Sequence, residues 1–187
     1  MKGWKRTRRL MRSLFAGAVF WGFLVLAGWA QAAEPQTPKP WNFGGGGSMG
    51  FLANTPDDTA FALNFHADAN LNRHVSIGPL LQLGFTDDLT LVGLSGQGKY
   101  RIPVPEIDKR LTIMLQAGLG FVHADVGPSD TSFLIPLGVG INYQLNSGLA
   151  FTGDFLLNFT DLDLRRGRGR GHDDTNVMPS LTFGVRF

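Results

Sequence analysis

From residue 42 to the C-terminus, apolar and polar side chains alternate along the chain with a period of two. The segment 59–70 shows this best, since the apolar Leu63 and Phe65 lie on either side of the polar Asn64. A period of two is typical of β-strands with one apolar and one polar face. We therefore predict an all-β chain with eight strands at 42–53, 59–70, 74–86, 89–101, 110–123, 132–145, 149–160 and 176–187.

The apolar faces of these strands carry no charged residue, and their only polar atoms are the hydroxyls of Tyr100 and Tyr143. The opposite faces are rich in small and amide side chains, which suit a confined lumen. A soluble β-sandwich would instead present many Lys and Glu residues to water. We expect a polar lumen lined by Ser48, Asn64, His66, Asp68, Gln82, Gln97, Lys99, Arg101, Gln116, Asn142, Asp154, Asn158 and Arg186.

Aromatic residues on the apolar faces fall at two heights. One group lies near one end of the strands (Phe51, Phe61, Phe85, Phe121, Phe133 and Phe159), and the other lies near the opposite end (Phe43, Tyr100, Tyr143, Phe151 and Phe187). Two aromatic girdles are expected at the two interfaces of a membrane-spanning barrel, and closure leaves no unpaired strand edge in lipid. The pattern predicts an eight-stranded antiparallel up-and-down transmembrane β-barrel over 42–187.

The N-terminus has the features of a secretory signal peptide. A basic start precedes an apolar run at 14–30, and small residues follow at 30–33. This order predicts a cleaved signal peptide at 1–33 and an N-terminal periplasmic segment at 34–41, with a membrane anchor as the alternative. Both barrel termini would then be periplasmic, with longer connections outside at 54–58, 124–131 and 161–175 and a short one at 87–88.

The basic character of the whole chain comes from this leader. Its cationic side chains are not matched by any acid, so the remainder has fewer Lys and Arg residues than its 15 carboxylates. A basic patch that would bind nucleic acid is therefore not indicated. The chain has 0 cysteines, which excludes disulfides and cysteine-based metal sites.

Three segments resemble the small eight-stranded outer-membrane barrel family that contains the OmpA membrane domain, OmpX and OmpW. They are 72–78 after a predicted turn, 115–120 in the fifth strand, and 181–187, which ends on a C-terminal Phe. The resemblance implies a bacterial outer-membrane barrel in contact with lipid and lipopolysaccharide. It also implies that Phe183, Val185 and Phe187 form an assembly signal for the barrel-assembly machinery.

Charged residues on the lumen face are candidates for a functional cluster: Asp68, Lys99, Arg101, Asp154 and Arg186. Unpaired charges in a dry lumen would cost several kcal/mol each, so they should pair or stay hydrated. One interpretation is a charged gate across a narrow pore. The other is a salt-bridged plug, since eight strands enclose a space that side chains fill. Inward glycines such as Gly118 and Gly140 would leave additional room.

The fourth outer connection is rich in arginine and glycine, with arginines at Arg165, Arg166, Arg168 and Arg170. Arginine suits bidentate phosphate contacts, so we expect this segment to bind the phosphates of lipopolysaccharide. Recognition of another anionic surface polymer and an RGG-like nucleic-acid contact are the alternatives. The adjacent His172, Asp173 and Asp174 are not expected to bind a metal.

A catalytic role is not indicated. His123, Asp125, Ser129 and Asp130 fall near the outer rim, but no His-x-Ser pair or other acyl-transfer motif is present. We predict a monomeric, non-enzymatic protein without cofactor, whose role is structural or interactive through envelope integrity and loop display. A narrow passive channel for small solutes and a lipid A-modifying enzyme are the alternatives.

Overall fold

The computed structural model describes residues 42–55, 58–125, 129–145, 148–162 and 176–187. Eight antiparallel strands follow one another around a closed barrel, and β8 pairs with β1. The predicted fold is confirmed. The strands are β1 Asn42–Thr55, β2 Asp58–Asn70, β3 Val75–Phe85, β4 Thr90–Pro103, β5 Leu111–Asp125, β6 Ser129–Gln144, β7 Ala150–Thr160 and β8 Asn176–Arg186. The predicted signal peptide and segment 34–41 lie outside the described residues.

The barrel has two distinct ends. We call the end where β1 begins and β8 finishes the terminal end, and the opposite one the loop end. Strands β5 and β6 continue beyond their predicted limits, since Asp125 still pairs with both Thr90 and Ser129. The connection at 126–128 is consequently short. The one at 56–57 is also short, because β1 extends to Thr55 and β2 begins at Asp58, and only 161–175 is long. The expectation of generally longer loops at this end is therefore wrong.

Tight turns at both ends use side chains that replace backbone hydrogen bonds. At the terminal end, Asn72 Oδ1 accepts hydrogen bonds from the backbone N–H groups of His74 at 2.8 Å and Val75 at 2.7 Å. At the loop end, Thr86 Oγ1 accepts from the N–H of Leu89 at 3.0 Å. Asn and Thr favour such turns because their oxygens reach the backbone two or three residues further along.

Two ladders are interrupted beside a proline. Between β2 and β3, Ala67 and Asp68 are not paired with Pro79 and Gly78 opposite them, and the pairing resumes in the same register at Ala69. A similar gap between β5 and β6 lies opposite Pro136. Proline has no N–H to donate, so it removes a ladder hydrogen bond wherever it enters a strand.

The outer surface of the barrel is apolar. Its exposed side chains include Phe43, which is 75% exposed, Leu119 at 71% and Phe121 at 70%. Aromatic residues predicted at one height are direct cross-strand partners: Phe51 pairs with Phe61, and Phe61 pairs with Phe85. At the terminal end, Tyr143 pairs with Phe151. Among the described residues, no helix is long and apolar enough to cross a membrane.

The lumen has two layers of different polarity. Toward the terminal end it is polar and charged, as predicted. Toward the loop end the inward side chains include an apolar cluster that the sequence did not predict, beside the predicted lumen residues Asn64 and Asn158, which are buried there. We call this cluster the apolar layer, and it consists of Leu52, Ala60, Ala62, Leu89, Leu91, Val122, Ala124, Leu134, Leu162 and Met178.

Candidate functional site in the lumen

Asp68 is the centre of the charged layer. Lys99 Nζ lies 3.1 Å from its Oδ1, and Arg186 Nη2 lies 2.8 Å from its Oδ2. The carboxylate side chain is 1% exposed, and the two cationic side chains are 3% and 10% exposed. Three strands thus bring their charges to one point because β2, β4 and β8 each place an inward residue at this height. The buried pairing gives each charge a partner, as a buried charge requires.

His66 borders the same cluster without joining it closely. Its Nε2 lies 3.6 Å from Asp68 Oδ2, which is beyond a normal hydrogen-bond length. The sequence placed His66 among the polar residues that line the lumen, without naming its neighbours. The ring packs beside the glycine run of β1, where a Cβ at Gly46 would lie 2.7 Å from His66 Cε1.

Arg101 belongs to the terminal mouth of the lumen. Its Nη2 donates to Asn70 Oδ1 at 2.6 Å and to Ser76 Oγ at 3.0 Å. Neutral oxygens therefore bind this guanidinium, and none of the ion pairs found among the described residues includes it. Asn70 and Ser76 were not singled out from the sequence. The sequence could have indicated them, because Asn70, Ser76 and Arg101 all occupy inward positions of the successive strands β2, β3 and β4.

Asp154 lies apart from the Asp68 cluster. Gln116 Nε2 donates to its Oδ1 at 2.9 Å, and Thr152 Oγ1 donates to its Oδ2 at 2.9 Å. These neutral donors stabilise the carboxylate without a direct cation. The five charged lumen residues therefore form one ion-paired group, Asp68 with Lys99 and Arg186, and two separately hydrogen-bonded charges.

The apolar layer closes the loop half of the lumen. Leu91 and Leu134 are each 2% exposed, and Met178 is 3% exposed. Two residues outside the strands complete the layer, since Leu89 is 0% exposed and Leu162 is 3% exposed. The connection between β3 and β4 and the one after β7 thus each contribute a leucine that covers the lumen. Ions and water would meet a tightly packed hydrocarbon barrier here.

Little free volume remains between these layers. One cavity of about 20 Å³ adjoins the apolar layer, and another of about 10 Å³ lies beside Lys99 and Asp154. Each offers room for roughly one water molecule. The inward glycines do not widen the lumen as expected. A Cβ at Gly118 would lie 3.0 Å from Gln97 Cγ, and one at Gly140 would overlap the Asp154 carboxylate, so neighbours already occupy the space.

The rim at the loop end shows no catalytic arrangement within the part of the chain described. His123 Nδ1 lies 2.8 Å from Thr131 Oγ1, so this ring is paired with a neighbouring threonine. No group of three or more His, Asp or Glu side chains among the described residues could bind a metal ion. Arg165, Arg166, Arg168, Arg170 and the segment 172–174 lie outside the described residues.

The C-terminal residues lie on the outer surface at the end of the last strand. Phe183 is 60% exposed and Phe187 is 49% exposed, while Val185 is half-buried between them. Phe187 continues the pairing beyond β8, since it exchanges two backbone hydrogen bonds with Gly45 of β1. The predicted assembly residues therefore also belong to the seam that closes the barrel.

Solved structures with this fold support the assignment of architecture. Neisserial surface protein A (NspA) shares 14% sequence identity over 81% of this chain and 98% of its own, with a TM-score of 0.56. The N-terminal β-barrel domain of Pseudomonas aeruginosa OprF shares 12% identity over 80% and 100%, with a TM-score of 0.54. No family model and no curated protein sequence matches the chain. The chain thus has the fold of the small eight-stranded barrels, as its sequence resemblance implied.

Proposed function

We propose that this chain is an integral β-barrel of the bacterial outer membrane with a structural and surface-interaction role. Both termini would face the periplasm. One observation carries the proposal: an apolar outer surface surrounds a lumen that side chains fill. Such a barrel is held in the lipid and offers no route for solutes. Its function would therefore depend on the barrel wall itself and on the segments exposed at its two ends.

The outer surface supports insertion into lipid. Leu119 and Phe121 would be unfavourably hydrated on a soluble monomer, and large contiguous apolar patches are rare on such proteins. A closed barrel satisfies its backbone groups between strands, which is the condition for crossing hydrocarbon. Phe51, Phe61 and Phe85 form one aromatic row near the loop end, as expected at a membrane interface.

The filled lumen favours a structural role over a passive channel. A solute entering from the terminal end would have to break the ion pairs of Asp68 and then pass the apolar layer. The cavities of about 20 and 10 Å³ between them are each large enough for roughly one water molecule and too small for a hydrated ion. Catalysis is not part of the proposal, since the described residues of the rim include no recognised pair of nucleophile and base.

Conductance in planar lipid bilayers tests the proposal against its alternative. The purified protein should give no steady ohmic current, while a wide porin inserted under the same conditions provides the positive control. Reproducible single-channel steps that change in size when Arg101 is replaced by Gln would overturn the structural role and favour the narrow channel. Lipid A of unchanged mass in cells with and without the protein would separately exclude lipid modification.

The partners that we propose follow from this location. They are outer-membrane lipid and lipopolysaccharide around the barrel, and the barrel-assembly machinery during insertion. The finished protein would be a monomer without cofactor and without nucleic-acid contacts. Its size in detergent, measured by light scattering with the detergent mass subtracted, should equal that of a single chain.

A further inference from the structure

Near its start, strand β1 contains an unbroken run of glycines at 44–47, which we call the glycine slot. Glycine weakens a strand because it loses more conformational freedom on folding and packs nothing against its neighbours. The slot lies where β1 pairs with the end of β8, so something at this seam should compensate for the missing side chains.

The C-terminal residue covers the outer side of the slot. Phe187 N donates to Gly45 O at 2.9 Å, and Gly45 N donates to Phe187 O at 3.0 Å. The ring of Phe187 lies across the same glycine, since its Cε2 and Cζ atoms are 3.5 Å from where a Gly45 Cβ would stand. Phe187 thus bonds Gly45 through its backbone, and its ring packs over the glycine at van der Waals distance from the Cβ position.

Side chains from the lumen cover the inner side. His66 Cε1 lies 2.7 Å from the Cβ position of Gly46, and Arg186 Nη2 lies 3.8 Å from that of Gly44. Arg186 is at the same time the ion-pair partner of Asp68. The slot is therefore enclosed on both sides by residues of β2 and of the C-terminal end.

The other phenylalanine of the C-terminal strand makes a similar contact. Phe183 Cδ1 lies 3.3 Å from the Cβ position of Gly153 in β7. By contrast, a Cβ at Gly98, an outward glycine of β4, would meet nothing within 4 Å. An aromatic ring over a cross-strand glycine is a known way to stabilise a glycine in a sheet. The two rings thus lie over glycines on opposite sides of β8.

We propose that Phe187 is a clasp that holds the β1–β8 seam of the finished barrel closed, with the glycine slot as its binding site. This function belongs to the folded state and requires no assembly factor. It is additional to any role of the same residue as an assembly signal, and it does not depend on the role proposed for the lumen.

Refolding of the purified protein into detergent micelles, without assembly factors, tests the clasp. Phe187→Ala should unfold about threefold to tenfold faster in urea, the range expected for losing one aromatic packing contact. Gly45→Leu keeps the C-terminal Phe, but its side chain extends beyond a Cβ that already lies 3.3 Å from His66 O and 3.5 Å from the Phe187 ring. It should displace the ring and accelerate unfolding at least as much. Gly98→Leu is the matched control, because its side chain enters open space, and its unfolding rate should stay close to that of the wild type.

The combination of variants distinguishes a clasp from two unrelated defects. In the double variant, Gly45→Leu should cost much less than it does alone, since the ring that it displaces is already gone. Hydrogen exchange of backbone amides should rise at 45–52 and 180–187 in Phe187→Ala and stay unchanged between β4 and β5. Additive effects on the unfolding rate, or an unchanged rate in both single variants, would overturn the proposal. If Phe187→Ala does not refold, Phe187→Leu takes its place in the same double-variant comparison.

Discussion

Arg186 and Asp68 form an ion pair that passes over the first strand of the barrel, with Arg186 Nη2 2.8 Å from Asp68 Oδ2. Asp68 pairs with Gly44 in β1, and Arg186 pairs with Gly46. A Cβ at Gly46 would lie 2.7 Å from His66 Cε1, whereas one at Gly44 would lie at van der Waals distance, 3.8 Å, from Arg186 Nη2. The ion pair therefore packs directly against the glycine run of β1.

Replacement of Asp68 by Asn tests the stabilising effect of this cluster. Lys99 and Arg186 would remain buried without a carboxylate between them, so the free energy of unfolding should fall by about 3–5 kcal/mol. Urea unfolding in micelles, followed by the circular dichroism of the strands, measures this. Asp58→Asn, at the exposed loop end, is the control and should change stability little. Equal unfolding midpoints for Asp68→Asn and the wild type would contradict a stabilising cluster.

The apolar layer should respond to truncation as a protein core does. Leu134 is 2% exposed, and Leu134→Ala should lower the free energy of unfolding by about 2–5 kcal/mol because a cavity would remain. Leu119 is 71% exposed on the outer face, where detergent or lipid can fill the space that its truncation leaves. Leu119→Ala should therefore cost clearly less. The opposite order of these two variants would show that the inside and outside of the barrel have been exchanged.

A cation on the outer face should be costly in proportion to its depth. Val139 lies midway along β6, and Tyr143 lies near the terminal end of the same face. Val139→Arg should lower stability in lipid vesicles by about 2–4 kcal/mol, while Tyr143→Arg should cost about 0–1 kcal/mol. The comparison uses equilibrium unfolding in the same vesicles. Equal penalties at both heights would argue that no hydrocarbon core surrounds this strand.

The proposed orientation can be tested with single cysteines, because the chain has 0 cysteines of its own. A cysteine at Asp88, in the β3–β4 turn, should react with a membrane-impermeant maleimide on intact cells. One at Arg73, in the β2–β3 turn, should react only after the outer membrane is permeabilised. Labelling of Arg73→Cys alone on intact cells would place the termini outside.

The arginine-rich connection between β7 and β8 is expected to bind the phosphates of lipopolysaccharide. Joint replacement of Arg165, Arg166, Arg168 and Arg170 by Ser should weaken the binding of purified lipopolysaccharide and reduce its dependence on salt. Binding by the micelle-embedded protein at two salt concentrations measures both effects. If the variant binds lipopolysaccharide with the affinity and salt dependence of the wild type, these arginines do not bind its phosphates.

The strands could be predicted because one face of each had to be continuously apolar. In β2, the alternation of Leu63, Asn64 and Phe65 already gives the direction of each side chain, and the structure confirms it. The alternation is weaker near the loop end, where Phe133, Leu134 and Ile135 are consecutive apolar residues. An alternation of period two does not tell whether an apolar residue at an inward position, such as Leu134, is isolated or belongs to an apolar layer in the lumen. The apolar layer therefore could not be predicted.

The pairing within the lumen could not be predicted for a different reason. Five inward charges were evident, but which of them meet depends on how far each strand is shifted along its neighbour. Arg101 lies two residues from Lys99 on the same face, yet Lys99 contacts Asp68 and Arg101 contacts Asn70. Similarly, glycines at inward positions suggested empty space, whereas neighbouring side chains fold over them.

The central claim is that the outward residues of the barrel face hydrocarbon, and spin labels on β6 test it most directly. Labels at cysteines replacing Leu137, Val139 and Ile141, one at a time in lipid vesicles, should collide often with oxygen and rarely with a water-soluble nickel chelate. A label at Arg73 should show the reverse. Ready access of the chelate to all three β6 positions would contradict the membrane-spanning barrel.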